Sequence, residues 1–296
     1  MTRIRANLLL LSAGAVWGMG FVAQSTAMAA IGPWSYVAAK FGLAALTLLP
    51  FAIREARRAK HAVGAPTLGL FVLVGVAIFL AAITQQIGIL TTSVTNSGFL
   101  TGLYVVFTPI LCLALLRQAP HWVVWPAAAC SFLGIALLGG GSLTALRAGD
   151  VWTIACAVFW ALQIMLIGRF AAAADRPFLL SFVQFAVTAL AAAPVALAVE
   201  APSLRALGAA LPEIVYGGVF ATGLAFTLQI LGQRHTTPAQ ASIFLSSEAL
   251  FAALFGAIFL AEYIAPLGYF GCGLILVAMV AVEIVPLAGT QAPARS

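Results

Sequence analysis

Ten apolar runs of about twenty residues each, separated by short polar interruptions, leave this chain few ways to fold. They lie near residues 7–29, 34–53, 68–90, 96–116, 121–140, 149–170, 177–198, 211–233, 238–260 and 264–286. At ~1.5 Å of rise per residue, a helical run of that length matches the ~30 Å hydrocarbon layer of a bilayer. Inside lipid, backbone N–H and C=O groups must bond within a helix or a closed barrel. Barrel strands would alternate over segments of roughly ten residues, and the runs do not alternate. Only 7% of residues are charged, against about a quarter in soluble domains, so the chain cannot clothe a water-facing surface. The expected fold is all-α: a polytopic membrane protein of ten transmembrane helices.

The opening stretch MTRIRANLLLLSAGAVWGMGFVAQSTAMAA has the basic start, apolar middle and small-residue end of a cleavable signal. Its apolar run is longer than the usual ~7–15 residues and holds Trp17 and Gln24, so it is read as the first span.

Basic residues set the orientation. With the N-terminus in the cytoplasm, Arg3, Arg5, Arg54, Arg57, Arg58, Lys60, Arg117, Arg169, Arg176, Arg234 and Arg295 fall on the cytoplasmic side. Only Arg147 and Arg205 fall outside, and Lys40 lies within the second span. The positive-inside rule then places both termini in the cytoplasm and the 141–149 segment outside. The formal charge of +6 is thereby explained by orientation. A nucleic-acid partner would need a basic patch with aromatic partners, and the sequence has none.

Several chemistries lack their residues. Cys112, Cys130, Cys156 and Cys272 fall in apolar spans at no metal or redox spacing and read as small buried hydrophobes. His61, His121 and His235 sit in or beside loops, far apart. There is no G-x-x-x-x-G-K-[ST] phosphate loop, and GGGS at 139–142 resembles a helix exit. No cofactor or metal is implied, and no triad or H-E-x-x-H grouping points to an enzyme.

The chain repeats itself. PWSYVAAKFGLAALTLLP lies over PFLLSFVQFAVTALAAAP without a gap, matching Pro33 with Pro177, Phe41 with Phe185, Leu46 with Leu190 and Pro50 with Pro194. At nearly the same shift Gly75 meets Gly218, Thr84 meets Thr227, Gln86 meets Gln229 and Trp17 meets Trp160. TTSVTNSGFLT lies over TTPAQASIFLS, pairing Phe99-Leu100 with Phe244-Leu245. The expected units are residues 1–147 and 148–296, five helices each. An odd number makes the second unit enter the membrane from the opposite side. Inverted repeats are the architecture of secondary transporters, which hold substrate near the midplane and expose it to each side in turn.

With ten helices in two repeats, GAVWGMGFVAQ in the first span and SSEALFAALFGAIFLAE in the ninth, the whole chain resembles the drug/metabolite transporter superfamily, EamA type. Glu248 and Glu262 match the two acidic positions of that family's ninth helix, and Ala249 stands where a proline is usual. Pro109 keeps the corresponding kink signal in the fourth span. Lys40 stands where the family often has arginine, which keeps a cation but loses bidentate pairing. The resemblance implies a secondary exporter of small metabolites in the cell inner membrane. Bacterial amino-acid exporters, the aromatic branch included, are the relatives it suggests.

Polar residues in spans usually face the protein interior, which selects candidates for a substrate cavity. Trp17 and Gln24 share one face of the first span, and Trp160 and Gln163 share one of the sixth. Gln86 and Gln229 are repeat partners in the third and eighth; Asn96, Thr101 and Tyr104 follow one another along the fourth; Ser246 and Ser247 precede Glu248 in the ninth. The competing role for the amides and hydroxyls is hydrogen bonding between helices, worth about 0.6 kcal/mol a pair. Trp34, Trp122, Trp125 and Trp152 lie near span ends and read as interfacial anchors. The G-x-x-x-G pairs Gly14/Gly18 and Gly98/Gly102 allow close helix contact, within one chain or across a homodimer.

Lys40 poses the sharpest choice. It either snorkels to the outer surface or points into the cavity, where it stabilises Glu248 directly or through water, with Glu262 as the competing partner. A carboxylate as deep as Glu248 costs about 2.5–3.5 kcal/mol on insertion scales, so it is protonated or paired. The partners expected are a small-molecule substrate, membrane lipid and, if Glu248 carries one, a proton. Substrate identity stays open between amino acids, cationic drugs and other metabolites. An intramembrane enzyme would need a cluster of Asp, His or Arg at one membrane face, and the loops supply none. A purely structural protein leaves the repeat and the buried charges without a reason.

Overall fold

The computed structural model describes residues 2–59, 61–91, 94–138, 148–259 and 263–289, with backbone alone for 94–96, 170–174 and 287–289. Lys60, the 139–147 segment with Ser142 and Arg147, Glu262 and Arg295 lie outside the described residues. The described regular structure is helical: α1 (Arg3–Ala27), α2 (Pro33–Arg58), α3 (Ala65–Ile89), α4 (Val94–Thr101), α5 (Tyr104–Leu116), α6 (Val124–Leu138) and α7 (Ala148–Ala174). Then follow α8 (Pro177–Val195), α9 (Leu204–Ala209), α10 (Leu211–Val215), α11 (Ala225–Gln233), α12 (Pro238–Leu245), α13 (Glu248–Phe259) and α14 (Pro266–Gly289), with π-helical turns at Ala196–Glu200 and Tyr216–Leu224.

Nine described stretches are long and apolar enough to cross a membrane, and α6, with 15 residues, supplies a shorter tenth that runs up to the undescribed 139–147. The protein is therefore a ten-span, all-α membrane protein built from two inverted five-helix repeats. Proline opens α2, α8 and α12 at their first position, where its missing N–H is no loss and its fixed φ suits the helix. The lipid-facing surface is apolar: Leu46, Leu190, Leu197, Val277 and Ile284 are exposed. Trp122, Trp125 and Trp152 are also exposed, as interfacial anchors should be.

The packing follows the repeat. The second span lies on the seventh (α2 on α8) and the fifth on the tenth (α6 on α14), each beside its own counterpart. The third packs on the sixth (α3 on α7), and their counterparts, the eighth and first, pack likewise (α11 on α1). Phe41 and Phe185, equivalent in sequence, meet with ring centroids 5.9 Å apart. Gly75 and Gly218 each let a crossing helix close in. A Cβ on Gly75 would lie 3.1 Å from the Gln184 Cα, and one on Gly218 2.9 Å from the Lys40 carbonyl oxygen. Those two targets are themselves repeat counterparts, 144 residues apart.

Carboxylates bind the α2/α8 pair at both ends. Glu200 accepts hydrogen bonds from the Trp34 and Ser35 N–H groups at the start of α2, at 3.0 and 2.8 Å. Glu55, near the end of α2, accepts from the Phe178 and Leu179 N–H groups at the start of α8, at 3.2 and 2.9 Å. Neither helix has a side-chain cap of its own, so each borrows one from its partner, and the negative charge complements the positive end of the helix dipole. Glu200 stands six residues past Pro194 but Glu55 only five past Pro50. The π turn Ala196–Glu200 absorbs the extra residue and returns the carboxylate to its place.

Two spans expected to be continuous are not. The fourth tightens at Gly102-Leu103 through Leu103 N–H to Leu100 O (3.2 Å) and Val105 N–H to Gly102 O (3.0 Å). The ninth tightens one residue ahead of the matching position, at Ser246-Ser247, through Ser247 N–H to Phe244 O (3.2 Å) and Ala249 N–H to Ser246 O (3.1 Å). Such i→i+3 turns inside helices mark hinges and sites. Here they place Tyr104 and Glu248 at the first positions of α5 and α13.

Candidate functional site

The site is assembled around the first span. Gly14 and Gly18 give α1 a smooth face. A Cβ on Gly14 would meet the Glu248 nitrogen at 3.2 Å and one on Gly18 the Ala252 nitrogen at 2.7 Å. This G-x-x-x-G face is therefore filled by α13 of the same chain and is not a dimer surface. Gly102 packs against Ile135, while Gly98 meets nothing within 4 Å. The close approach of α13 brings Glu248, only 7% exposed, against the inner face of α1.

A cavity of about 60 Å³ opens beside it. Ligand pockets run to roughly 300–1,000 Å³, so side chains must move aside before this one holds a small molecule. The cavity occupies the half of the bundle far from the termini. Gln24, near the end of α1, and Lys40, in the second turn of α2, form its far wall. Both termini lie on the opposite side, where Arg3 pairs with Glu283 at 3.1 Å and Asn7 donates to the same carboxylate at 2.7 Å.

Lys40 does not reach a surface. It is 8% exposed, its ammonium donates to Gln24 Oε1 at 3.4 Å, and it stands over the Tyr36 and Phe41 rings, 4.9 and 5.3 Å from their centroids. Cation–π contact of this kind offsets part of the lost hydration. Gly217, in the π turn Tyr216–Leu224, leaves room for the Tyr36 hydroxyl, which lies 2.6 Å from where a Cβ on the glycine would stand. Lys40 and Glu248 line one cavity but form no ion pair, so of the two expected arrangements the direct one is not seen. The Tyr104 hydroxyl lies against the Glu248 carboxylate, and Glu248 Oε1 has no hydrogen-bond partner in good geometry.

Aromatic rings fill the middle. Phe226 packs between Trp17, at 4.8 Å, and Trp160, at 5.5 Å, and touches Phe185 at 5.8 Å. Trp17 Nε1 donates to the Ala221 carbonyl at 2.7 Å, which fixes the indole plane. On the terminal side the Gln163 and Gln229 amides bond each other reciprocally, at 3.3 and 3.1 Å. Gln85 donates to Thr101 at 3.2 Å.

Of the residues singled out in the sequence, Trp17, Gln24, Lys40, Thr101, Tyr104, Trp160, Gln163, Gln229 and Glu248 line this cavity. Gln86, Ser246 and Ser247 do not. Gln86 is fully buried with neither amide atom bonded, and its neighbour Gln85 takes the wall position. Ser246 bonds Ser131 at 2.8 Å. The Asn96 side chain lies outside the described residues. The sequence reading did not single out Phe41 and Phe226, apolar residues with no polar mark, or Ala221 and Thr222, which the π turn carries into the wall. Among the described residues no group of His, Cys, Asp and Glu could hold a metal ion.

Comparison with known proteins gives the same picture. The model of the EamA-like transporter family matches twice, at residues 4–140 and 147–283. An uncharacterized transporter of Archaeoglobus fulgidus is 29% identical over 286 residues, 95% of this chain and 87% of that protein. A protein of known crystal structure superposes with a TM-score of 0.78 at 17% identity, covering 96% of this chain and 99% of that one, which shows a shared fold.

Proposed function

Because this chain belongs to the EamA-like transporter family and is a multi-pass membrane transporter of a small molecule, we propose that it exports amino acids from the cytoplasm by alternating access. The observation that carries this reading is a single cavity holding one cation and one carboxylate that form no ion pair, with packed aromatic rings in the same wall. Charges of opposite sign that do not neutralise each other suit a zwitterion. Lys40 and Gln24 face its carboxylate, Glu248 and Tyr104 its ammonium, and the Trp17–Phe226–Trp160 rings an apolar or aromatic side chain. The unpaired Oε1 of Glu248 gains a partner when substrate arrives.

In this reading residues 1–147 and 148–296 are the units that rock. The termini are cytoplasmic, the protein sits in the inner membrane, and the cavity faces outward. Glu248 takes the substrate ammonium or a proton, so export is either facilitated or proton-coupled. Arginine-rich loops on the side of the termini support the orientation. Efflux of cationic compounds is the second reading, favoured by the rings next to Glu248 and opposed by Lys40 in the same wall.

The experiment is efflux of labelled phenylalanine, alanine, a nucleoside and a cationic dye from proteoliposomes. Phenylalanine efflux that unlabelled amino acids inhibit supports the proposal. Transport of the dye with no amino acid moved overturns it.

A further inference from the structure

The repeat that builds the cavity also builds its mirror position, on the side of the termini. There Gln184 stands where Lys40 stands on the far side, and the mirror position is packed. Gln184 is fully buried, and neither its amide nitrogen nor its amide oxygen has a hydrogen-bond partner. It is not alone. Ser181, Gln184 and Thr188 recur at i, i+3 and i+7, one face of α8, and all three are fully buried. Ser181 Oγ is unpartnered too. Thr188 bonds the Gly75 and Gln184 carbonyls, at 3.3 and 2.9 Å. One turn from Gln184, Leu180 belongs to an apolar cluster with Phe71, Val74, Ile167 and Ile230. A polar stripe has thus been driven into hydrocarbon-like packing with almost nothing to bond.

Unpaired buried amides are rare, because each forgoes the hydrogen bonds it had in water. A second conformation in which the stripe is wetted resolves the conflict. Rotating the pseudo-symmetric halves until the packed side opens would place Gln184 in the wall Lys40 lines here. The polar atoms are then the lining of a vestibule in its closed state.

We propose that Ser181, Gln184 and Thr188 form a substrate subsite in the state open toward the termini, with the Gln184 amide as its principal contact. An amide donates and accepts but carries no charge, so this subsite would hold the carboxylate or ammonium end of a zwitterion more loosely than Lys40 holds a carboxylate. The inference rests on the alternating-access reading above, and its test has an arm that needs no substrate.

Gln184→Cys and, as a control, Gln24→Cys are placed in protein whose four native cysteines are changed to alanine, and vesicles of each orientation meet a membrane-impermeant maleimide. The thiol of the Gln184→Cys variant should react from the side of the termini only, and that of Gln24→Cys from the far side only. In Gln184→Leu, which fills the same space without polar atoms, the KM for phenylalanine offered on the side of the termini should rise about fivefold, the loss of one neutral hydrogen bond. The KM on the far side should stay unchanged. A Gln184→Cys variant unreactive from both sides overturns the proposal, whether or not any amino acid is transported. So does a Gln184→Leu variant with both KM values unchanged, which would make the stripe mere packing. If the Gln184→Cys variant labels as expected but phenylalanine is not moved, the substrate assignment falls and the vestibule stands.

Discussion

The two repeats agree at the residues that set how helices pack and at the Trp17/Trp160 pair, and disagree at most of the charged and polar residues of the cavity wall. Phe41 and Phe185 pack against each other with tilted rings, Gly75 and Gly218 admit equivalent backbones, and Glu55 and Glu200 cap reciprocal helices. Even small details recur: Thr84 and Thr227 each bond the carbonyl four residues back, at 2.6 Å. The cavity wall shows the opposite. Lys40 faces Gln184 across the symmetry, Gln24 faces Ile167, Tyr104 faces Ala249, and Glu248 faces Leu103. In the proposed alternating-access reading, symmetric packing would let one architecture adopt two mirror-related states at similar energy, and asymmetric lining would make the two states bind differently.

The largest effects should come from breaking the asymmetric set. Lys40→Met and Glu248→Gln should each lower phenylalanine efflux roughly 10- to 100-fold, the equivalent of one charged hydrogen bond at ~1.5–3 kcal/mol. The double variant should be no worse than the weaker single one, since both hold one ligand. Thermal unfolding without substrate should behave differently. The two side chains form no ion pair, so their effects on stability should add within about 0.5 kcal/mol. Coupling as large in the empty protein as during transport would mean that they interact without a substrate.

Breaking the symmetric set should cost stability equally on both sides. Gly75→Val and Gly218→Val each force a side chain against a backbone atom about 3 Å away. Each should lower stability by about 1–3 kcal/mol, read as a drop in the unfolding midpoint in detergent. Drops of clearly different size would show that the two crossings are not equivalent and would weaken the mirror-state argument.

How much of this was legible follows from the same division. Residue spacing showed the ten spans, because a helix needs about 20 predominantly apolar residues to cross the hydrocarbon layer. The repeat was readable because packing residues such as Phe41/Phe185 and Gly75/Gly218 cannot drift far without closing or opening a helix contact. Nine polar or aromatic residues of the wall were readable because a span rarely carries such groups idly. Gln85 and Gln86 were not separable, since adjacent residues on a helix differ by ~100° and the face turned to the cavity depends on tertiary packing. Phe226 was invisible for another reason: it is one apolar residue among many, and only its place between two indoles gives it a role. The tight turns at Gly102-Leu103 and Ser246-Ser247 follow from no residue that forbids a helix. Gly102 hints at the first, but only the hydrogen bonds show it.

The caps test the comparison at smaller scale. Glu55→Ala and Glu200→Ala each expose two N–H groups at a helix start and should cost about 0.5–2 kcal/mol, the range for lost caps. The two losses should match within the error of a thermal scan. Gln replacements keep the acceptor oxygen and remove the charge, so they should recover about half of each loss. A Glu200→Ala effect much below that of Glu55→Ala would mean that the π turn does not hold the carboxylate as firmly as the α-helical turn that carries Glu55.

The smallest effect tests the boundary between the two sets. Gln163 and Gln229 line the cavity, yet they bond each other reciprocally, so they count as lining by position and as packing by contact. The counterpart of Gln229 is Gln86, which has no partner at all, and that of Gln163 is Gly20. If the pair is packing, Gln163→Leu and Gln229→Leu should each cost about as much as the double change, with a coupling near 0.6 kcal/mol, the average for a hydrogen bond between membrane helices. Transport should then be close to normal in the double variant, where both amides are gone and neither is left unbonded. If the amides instead touch substrate, the double variant should restore stability but not efflux. The Gln86→Leu variant supplies the baseline: it removes two unbonded atoms from a fully buried position and should raise stability slightly with no change in KM. A rise in KM for Gln86→Leu would mean that this residue enters the wall in the other access state, as Gln184 is proposed to do from the opposite repeat.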